Sequence, residues 1–187
     1  EGTYKENFTD MNGDESEIDF MHQAAAFQYY ENGDTKAVKL PYENGLSMVV
    51  VLGDTKNILN DIHNGKMTSK LVEVTLPKIK AEYSIDYVNI LKNMGIEKAF
   101  DYQNADFSLM LENYPERIKI DFVLQKAMID VDERGTEAAA ATVALVTKSA
   151  LSVDEEVIEF KADKPFTYYI LDDSGNVYFA GRYVKAE

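Results

Sequence analysis

The stretch AAAFQYYENGDTKAVKLPY, residues 24–42, constrains the fold first. Two strand-like runs meet at Asn32-Gly33-Asp34, and an Asn-Gly pair tolerates the positive φ values of a tight hairpin. LSMVVVLGD follows, a continuous apolar run of strand length, which reads as a buried strand. In DTKNILNDIHNG, Ile58, Leu59 and Ile62 fall at helical spacing, with Asp54 placed to cap and Asn64-Gly65 to end the helix. SKLVEVTLPKIKAEYSID alternates well and predicts one or two long strands bent at Pro77. A second helix is expected from about Asp86 to Met94, stopped by Gly95. RIKIDFVLQKAMIDVDE predicts a long strand over Ile118–Val131, with Ile118, Ile120, Phe122 and Leu124 on one face. The end of the chain reads as strand, loop and a hairpin closed at Asp173-Ser174-Gly175-Asn176, while the opening, Glu1 to Glu17, is polar and acidic, with MNGDE as a turn.

Composition removes several function classes. The 187 residues are 45% hydrophobic, enough for one sizeable core. The net charge of −14 repels nucleic acid and disfavours anionic membranes. No apolar run reaches the roughly 18 residues of a spanning helix. Cysteine is absent, so disulfides, thiol catalysis and zinc–thiolate sites are excluded together. The two histidines, His22 and His63, are expected on ordinary surfaces.

Individual site patterns fail as well. Asp10, Asn12 and Asp14 imitate a calcium loop, but the glycine is displaced and Met21 stands where the closing glutamate belongs. Ser47 lacks the second glycine of a nucleophile elbow. Asn7-Phe8-Thr9 matches a glycosylation sequon, a match that chance supplies in a chain of this length. No catalytic residue, metal site or cofactor is expected.

One segment stands apart: ERGTEAAAATVALVTKSALS, residues 133–152. At a period of two, one face is Thr136, Ala138, Ala140, Thr142, Ala144 and Val146, all small or β-branched. The other is Gly135, Glu137, Ala139, Ala141, Val143, Leu145 and Thr147. Such a strand would enter an existing sheet without overpacking the core beneath it. No proline stands between Glu116 and Lys164, which keeps every ladder N–H available. The competing reading is an exposed alanine-rich helix from about Thr136, since alanine is the best helix former. Both readings stand on the residues alone, and such ambivalence suits a conformational switch.

Glu133, Arg134, Gly135, Thr136, Glu137, Ala138, Ala139, Ala140, Ala141 and Thr142 resemble the hinge of inhibitory serpins, the serine protease inhibitor superfamily. LQKAMIDVDE resembles the strand that feeds that hinge. FKADKPFTYYI and GNVYFAGRYV resemble the family's C-terminal signature, and VKLPYENGLSMVVVL and VTLPKIKAEYSIDYVNILKNMGIEKAFD its middle strands and helix. Two departures accompany the match. Tyr4 and Phe8 stand where the family usually carries W-x-x-x-F, and the chain is about half a serpin long.

The resemblance implies an α+β serpin fold with several β-sheets and helices. This chain, 1–187, would supply the C-terminal part of a single domain, with the reactive-centre loop at about 133–155. Alone it is not expected to fold as a stable monomer. The implied function is a suicide-substrate inhibitor of serine proteases, with cysteine proteases as a second class; the alternative is a non-inhibitory chaperone or carrier. The family's usual spacing, 14 positions after the hinge glycine, implies a reactive bond at Ser149–Ala150, with Lys148 and Leu151 as alternatives. A small residue there implies an elastase-like or subtilisin-like target, and Lys148 a trypsin-like one. The other partner implied is the N-terminal half of the same serpin. Lack of cysteine and a loop open to proteases point to a secreted or cell-surface bacterial protein.

Overall fold

The computed structural model describes residues 2–110, 117–133 and 156–186. The described chain forms two compact units, 1–79 with 130–187 and 80–129.

The first unit is built on one sheet. Its strands are β1 (Gly2–Thr9), β2 (Glu15–Asn32), β3 (Thr35–Pro41), β4 (Leu46–Leu52), β5 (Thr68–Pro77), β8 (Ile158–Lys161), β9 (Phe166–Asp172) and β10 (Val177–Tyr183). The strand order is β10-β9-β4-β3-β2-β5-β8, and β1 also pairs with β2. Neighbours are antiparallel except β5 and β8. The expected hairpin is present: Asn32 pairs with Thr35 around Gly33-Asp34, and Gly33 has φ +59°. In β4, Val49, Val50 and Val51 are all fully buried, so both faces of the strand are covered. That is why its sequence is continuously apolar rather than alternating. Helix α1 (Ile58–His63) lays Ile58 on the cluster of Tyr30, Ala37, Val49, Val51 and Leu171. Asp54 does not cap it. Asn57 holds the cap position without a side-chain bond, and Asp54 Oδ1 accepts the Lys56 N–H instead.

The acidic opening is strand on either side of the expected turn. Glu15–Asn32 is one 18-residue strand, and β1 pairs with its first half from Gly2↔His22 to Thr9↔Glu15. The turn between them is held by Asp10, whose Oδ1 accepts the N–H groups of Asn12 and Asp14. The residues that imitate a calcium loop thus close a hairpin.

The second unit holds β6 (Ile79–Asp86) paired with β7 (Leu124–Val131), the helix α2 (Val88–Asn93) and two short 3-10 turns at Lys98–Phe100 and Ser108–Met110. Helix α2 ends as expected, with Gly95 at φ +93° donating to the Lys92 carbonyl. The long strand expected over Ile118–Val131 is shorter. It begins at Leu124, because the preceding residues are claimed by other partners. Ile120 N–H donates to Ala99 O, Val123 N–H to Asp86 Oδ1, and Tyr87 N–H to Val123 O. Phe122 and Leu124 are exposed.

Candidate functional site

Of the expected hinge, Glu133 alone lies within the described residues. Arg134 to Thr142 and the reactive-bond candidates Lys148, Ser149, Ala150 and Leu151 lie outside them. The site is therefore defined by what fixes the two ends of 134–155.

At the first end, β7 finishes at Val131, which is buried, and Glu133 follows two residues later. Glu133 Oε1 sits 2.8 Å from Lys78 Nζ and also accepts a hydrogen bond from Thr3 Oγ1. Lys78 reaches it because Pro77 ends β5 against Phe20, and the Lys78 N–H bonds Asp19 O at the bend. The Lys78 ammonium, and then the Thr3 hydroxyl, pull the Glu133 carboxyl down to about 2. The same pair raises Lys78 above the ordinary lysine value.

At the second end, the chain re-enters the sheet as β8, a parallel partner of β5 from Val72↔Ile158 to Thr75↔Lys161. Phe160 and Ala162 are fully buried. On the other face of the strand, Lys161 Nζ lies 2.6 Å from Glu6 Oε2. Glu6 Oε1 lies 2.6 Å from His22 Nε2, which is shut off from water but not aligned for a hydrogen bond. The other ring nitrogen, Nδ1, is 3.2 Å from Thr75 Oγ1. The hydrogen bond from Lys161 leads the effects holding the Glu6 carboxyl below its usual range, against the opposing pull of burial.

The tyrosine and phenylalanine at the start of the chain divide their roles. Phe8 is fully buried and meets Tyr183 edge-on at 5.0 Å. Tyr4 is 60% exposed and leans edge-on against His22 at 5.3 Å. His22 is thus not an ordinary surface histidine, whereas His63 is exposed. Sequence reasoning placed Glu133 in the hinge but missed Lys78, Thr3, Glu6 and Lys161. No local spacing links these residues; only strand register brings them together.

Comparison with known proteins accounts for this arrangement. Residues 1–186 match the family profile "Serpin (serine protease inhibitor)". An uncharacterised serpin-like protein of Thermococcus kodakarensis is 36% identical over 88% of this chain and 41% of its own length. Human serpin B8 is 34% identical over 92% of the chain and 49% of its own length. The crystal structure of tengpin, a thermophilic serpin in the native state, superposes with a TM-score of 0.78 at 29% identity, over 98% of this chain and 50% of tengpin. The chain therefore spans about half the length of the curated relatives it matches. These relatives are archaeal and eukaryotic, and they lend no support to the bacterial origin expected above. With its strands in serpin arrangement and the family profile matched almost end to end, the chain belongs to the serpin family, a family of protease inhibitors rather than enzymes.

Proposed function

We propose that this chain is the C-terminal part of an inhibitory serpin that traps serine proteases by inserting its cleaved loop into a sheet. The observation that carries the reading is the double anchorage of 134–155: Glu133 is fixed to Lys78 and Thr3, and β8 is fixed in the sheet. A segment held at both ends cannot enter a sheet without strain, and a protease cut removes one tether. The protease forms an acyl-enzyme at Ser149–Ala150. The freed strand, leading with Thr136, then enters beside β7 before water resolves the ester. About ten new backbone hydrogen bonds at about 1 kcal/mol each drive the step. The small face from Thr136 to Val146 lets the strand in. An elastase-like or subtilisin-like target fits Ser149, and a trypsin-like one fits Lys148. The rest of the polypeptide would cover the exposed Leu124 and Met128 of β7. A secreted or cell-surface location fits a loop offered to proteases, and a signal peptide in the full reading frame would support it.

A panel of proteases run on a denaturing gel against the full-length protein tests this. An inhibitor gives a complex that survives detergent; a chaperone or carrier is only nicked. Thr136→Arg puts a charge on the inward face, where an unpaired buried charge costs about 3–5 kcal/mol, about a third to a half of the driving force. That variant should be cut at the same bond but form no complex, while Glu137→Arg on the outward face should still inhibit. Equal inhibition by wild type and Thr136→Arg would sink the insertion mechanism.

A further inference from the structure

Four asparagines in the chain are followed by glycine: Asn12-Gly13, Asn32-Gly33, Asn44-Gly45 and Asn64-Gly65. Each pair lies at a turn or helix end of the first unit, and all four glycines have positive φ. Asparagine is thermolabile because the next backbone nitrogen can attack its side-chain carbonyl carbon, and a glycine, with no Cβ, obstructs that approach least. Sequence ranks the four pairs alike; the structure separates them. No hydrogen bond from another described residue fixes the side-chain amides of Asn12, Asn32 and Asn64. At Asn44 the Leu46 N–H donates to Oδ1 at 3.2 Å. An N–H can only donate, so the atom facing it is the carbonyl oxygen and not the amide nitrogen. The bond runs from residue 46 to residue 44 and folds the side chain back over the Gly45 peptide. It also draws electrons from Cγ and is in place to stabilise the negative charge that grows on Oδ1 when Cγ is attacked. The attacking nitrogens differ too. The Gly13 and Gly65 N–H groups are engaged, at 3.1 Å to Asp10 O and 3.0 Å to Ile62 O. The Gly45 N–H reaches Tyr42 O at 3.4 Å, beyond the ordinary range of such a bond, so it is held less. Asn32 is fixed in the ladder opposite Thr35, with nothing to polarise its side chain. Asn44 and Gly45 are both exposed, and a Cβ at Gly45 would meet nothing within 4 Å, so water reaches the pair.

We propose that Asn44-Gly45 is a self-modifying site, where the chain converts its own asparagine to aspartate and isoaspartate. The Gly45 nitrogen gives its proton to hydroxide and bonds to Asn44 Cγ. The Cγ–Nδ2 bond breaks, and Nδ2 takes a proton from water and leaves as ammonia. What remains is a five-membered cyclic imide. Water adds at Cγ to give aspartate, or at the backbone carbonyl carbon to give isoaspartate, and in each case the carbon–nitrogen bond at that carbon breaks. Nothing is oxidised or reduced, and water is the only co-reactant. Aspartate places a second carboxylate beside Glu43. Isoaspartate adds a carbon to the backbone of the turn between β3 and β4, which is closed by Tyr42 N–H to Leu46 O at 2.8 Å. The assignment does not rest on the inhibitory reading above.

Peptide mapping by mass spectrometry tests this on the full-length protein, kept folded at mildly alkaline pH. Asn44 should lose its amide about fivefold faster than Asn12, Asn32 or Asn64, the worth of one hydrogen bond to the developing charge. Its rate should rise with hydroxide concentration. Its product should include isoaspartate, read by enzymatic carboxyl methylation of the same peptide. In concentrated urea the four sites should converge, because there they share only the Asn-Gly pair. Asn44→Gln, whose ring would need a sixth member, should stay intact over the same period while the other three sites convert as in wild type. A faster Asn12, Asn32 or Asn64 in the folded protein would overturn the assignment. So would a lead for Asn44 that persists in urea, since local sequence and not the fold would then set it. Conversion at Asn44 without any isoaspartate would rule out the cyclic imide.

Discussion

Replacing Phe160 with Ala should release β8 without unfolding the protein. Among the described residues β8 is an edge strand of four residues, and its ladder to β5 runs over four register pairs. At about 1 kcal/mol per hydrogen bond, four bonds contribute about 4 kcal/mol. Phe160 is fully buried, and truncating a buried phenylalanine to alanine costs about 3–5 kcal/mol. The side chain is thus worth about as much as the whole ladder. The loss should fall on β8, since among the described residues β8 has one strand neighbour to let go while β3 and β4 each have two. A drop of about 4 kcal/mol in the local opening free energy is about a thousandfold in exchange at residues 158–161.

The assay is hydrogen exchange on the full-length protein, with Val50→Ala as control. Val50 is fully buried in β4, at the middle of the sheet, so its loss of about 2 kcal/mol should lower the unfolding midpoint instead. In Phe160→Ala, β8 should exchange quickly while β3, β4 and β9 remain protected. The reasoning fails if the variant's β8 amides open only together with the central strands. In that case β8 would be part of one cooperative unit, and Phe160 would not fasten it separately.

Local chemistry was legible wherever a turn or a buried strand carries its own signal. Asn32-Gly33-Asp34, Pro77, Gly65 and Gly95 all punctuate the chain where their backbone preferences require. So does the last hairpin turn at Asp173-Ser174-Gly175-Asn176, where Asp172 Oδ1, not singled out by the sequence, accepts the Asn176 N–H. The turn between β1 and β2 was legible but the strands were not, because residues 15–19 alternate between exposed and half-buried and carry three carboxylates. A strand with so little to bury gives a weak pattern. The opposite error arose at Ile118–Val123, where a clean alternation is overridden by bonds to Ala99 and Asp86. For the site, Glu133 was readable from the hinge motif. Its partner Lys78, and the Glu6–His22–Lys161 contacts, follow from which strands lie side by side, and spacing along the chain does not encode that.

Three further outcomes are expected. Gly53→Ala should cost more than Gly33→Ala: both have positive φ, but a Cβ at Gly53 would lie 2.7 Å from the Asp34 carbonyl oxygen, while one at Gly33 meets nothing within 4 Å. Gly33→Ala should cost about 1–2 kcal/mol from backbone strain alone, and equal urea midpoints for the two variants would contradict the clash. Gly181→Ala would place a methyl 2.3 Å from the Tyr168 ring, which stacks on Phe179 at 6.1 Å, so it should destabilise by about 1–3 kcal/mol; an unchanged midpoint would mean the ring moves aside freely. The last concerns acid. Glu133 is pulled below its unfolded value to about 2, so its pairing stabilises the fold above the ordinary glutamate pKa of about 4.3 and is lost as pH falls toward 2. Lys78 is raised, so its side of the pair persists at neutral pH and fails only as pH climbs through its raised value, above about 10.4. Lys78→Met should therefore be less stable than wild type on a plateau between those limits, and the gap should close on the acid side as Glu133 takes up its proton. Unfolding midpoints of the two proteins from pH 7 to pH 2 measure it. A gap that stays constant down to pH 2 would mean that Lys78 acts through packing rather than through Glu133.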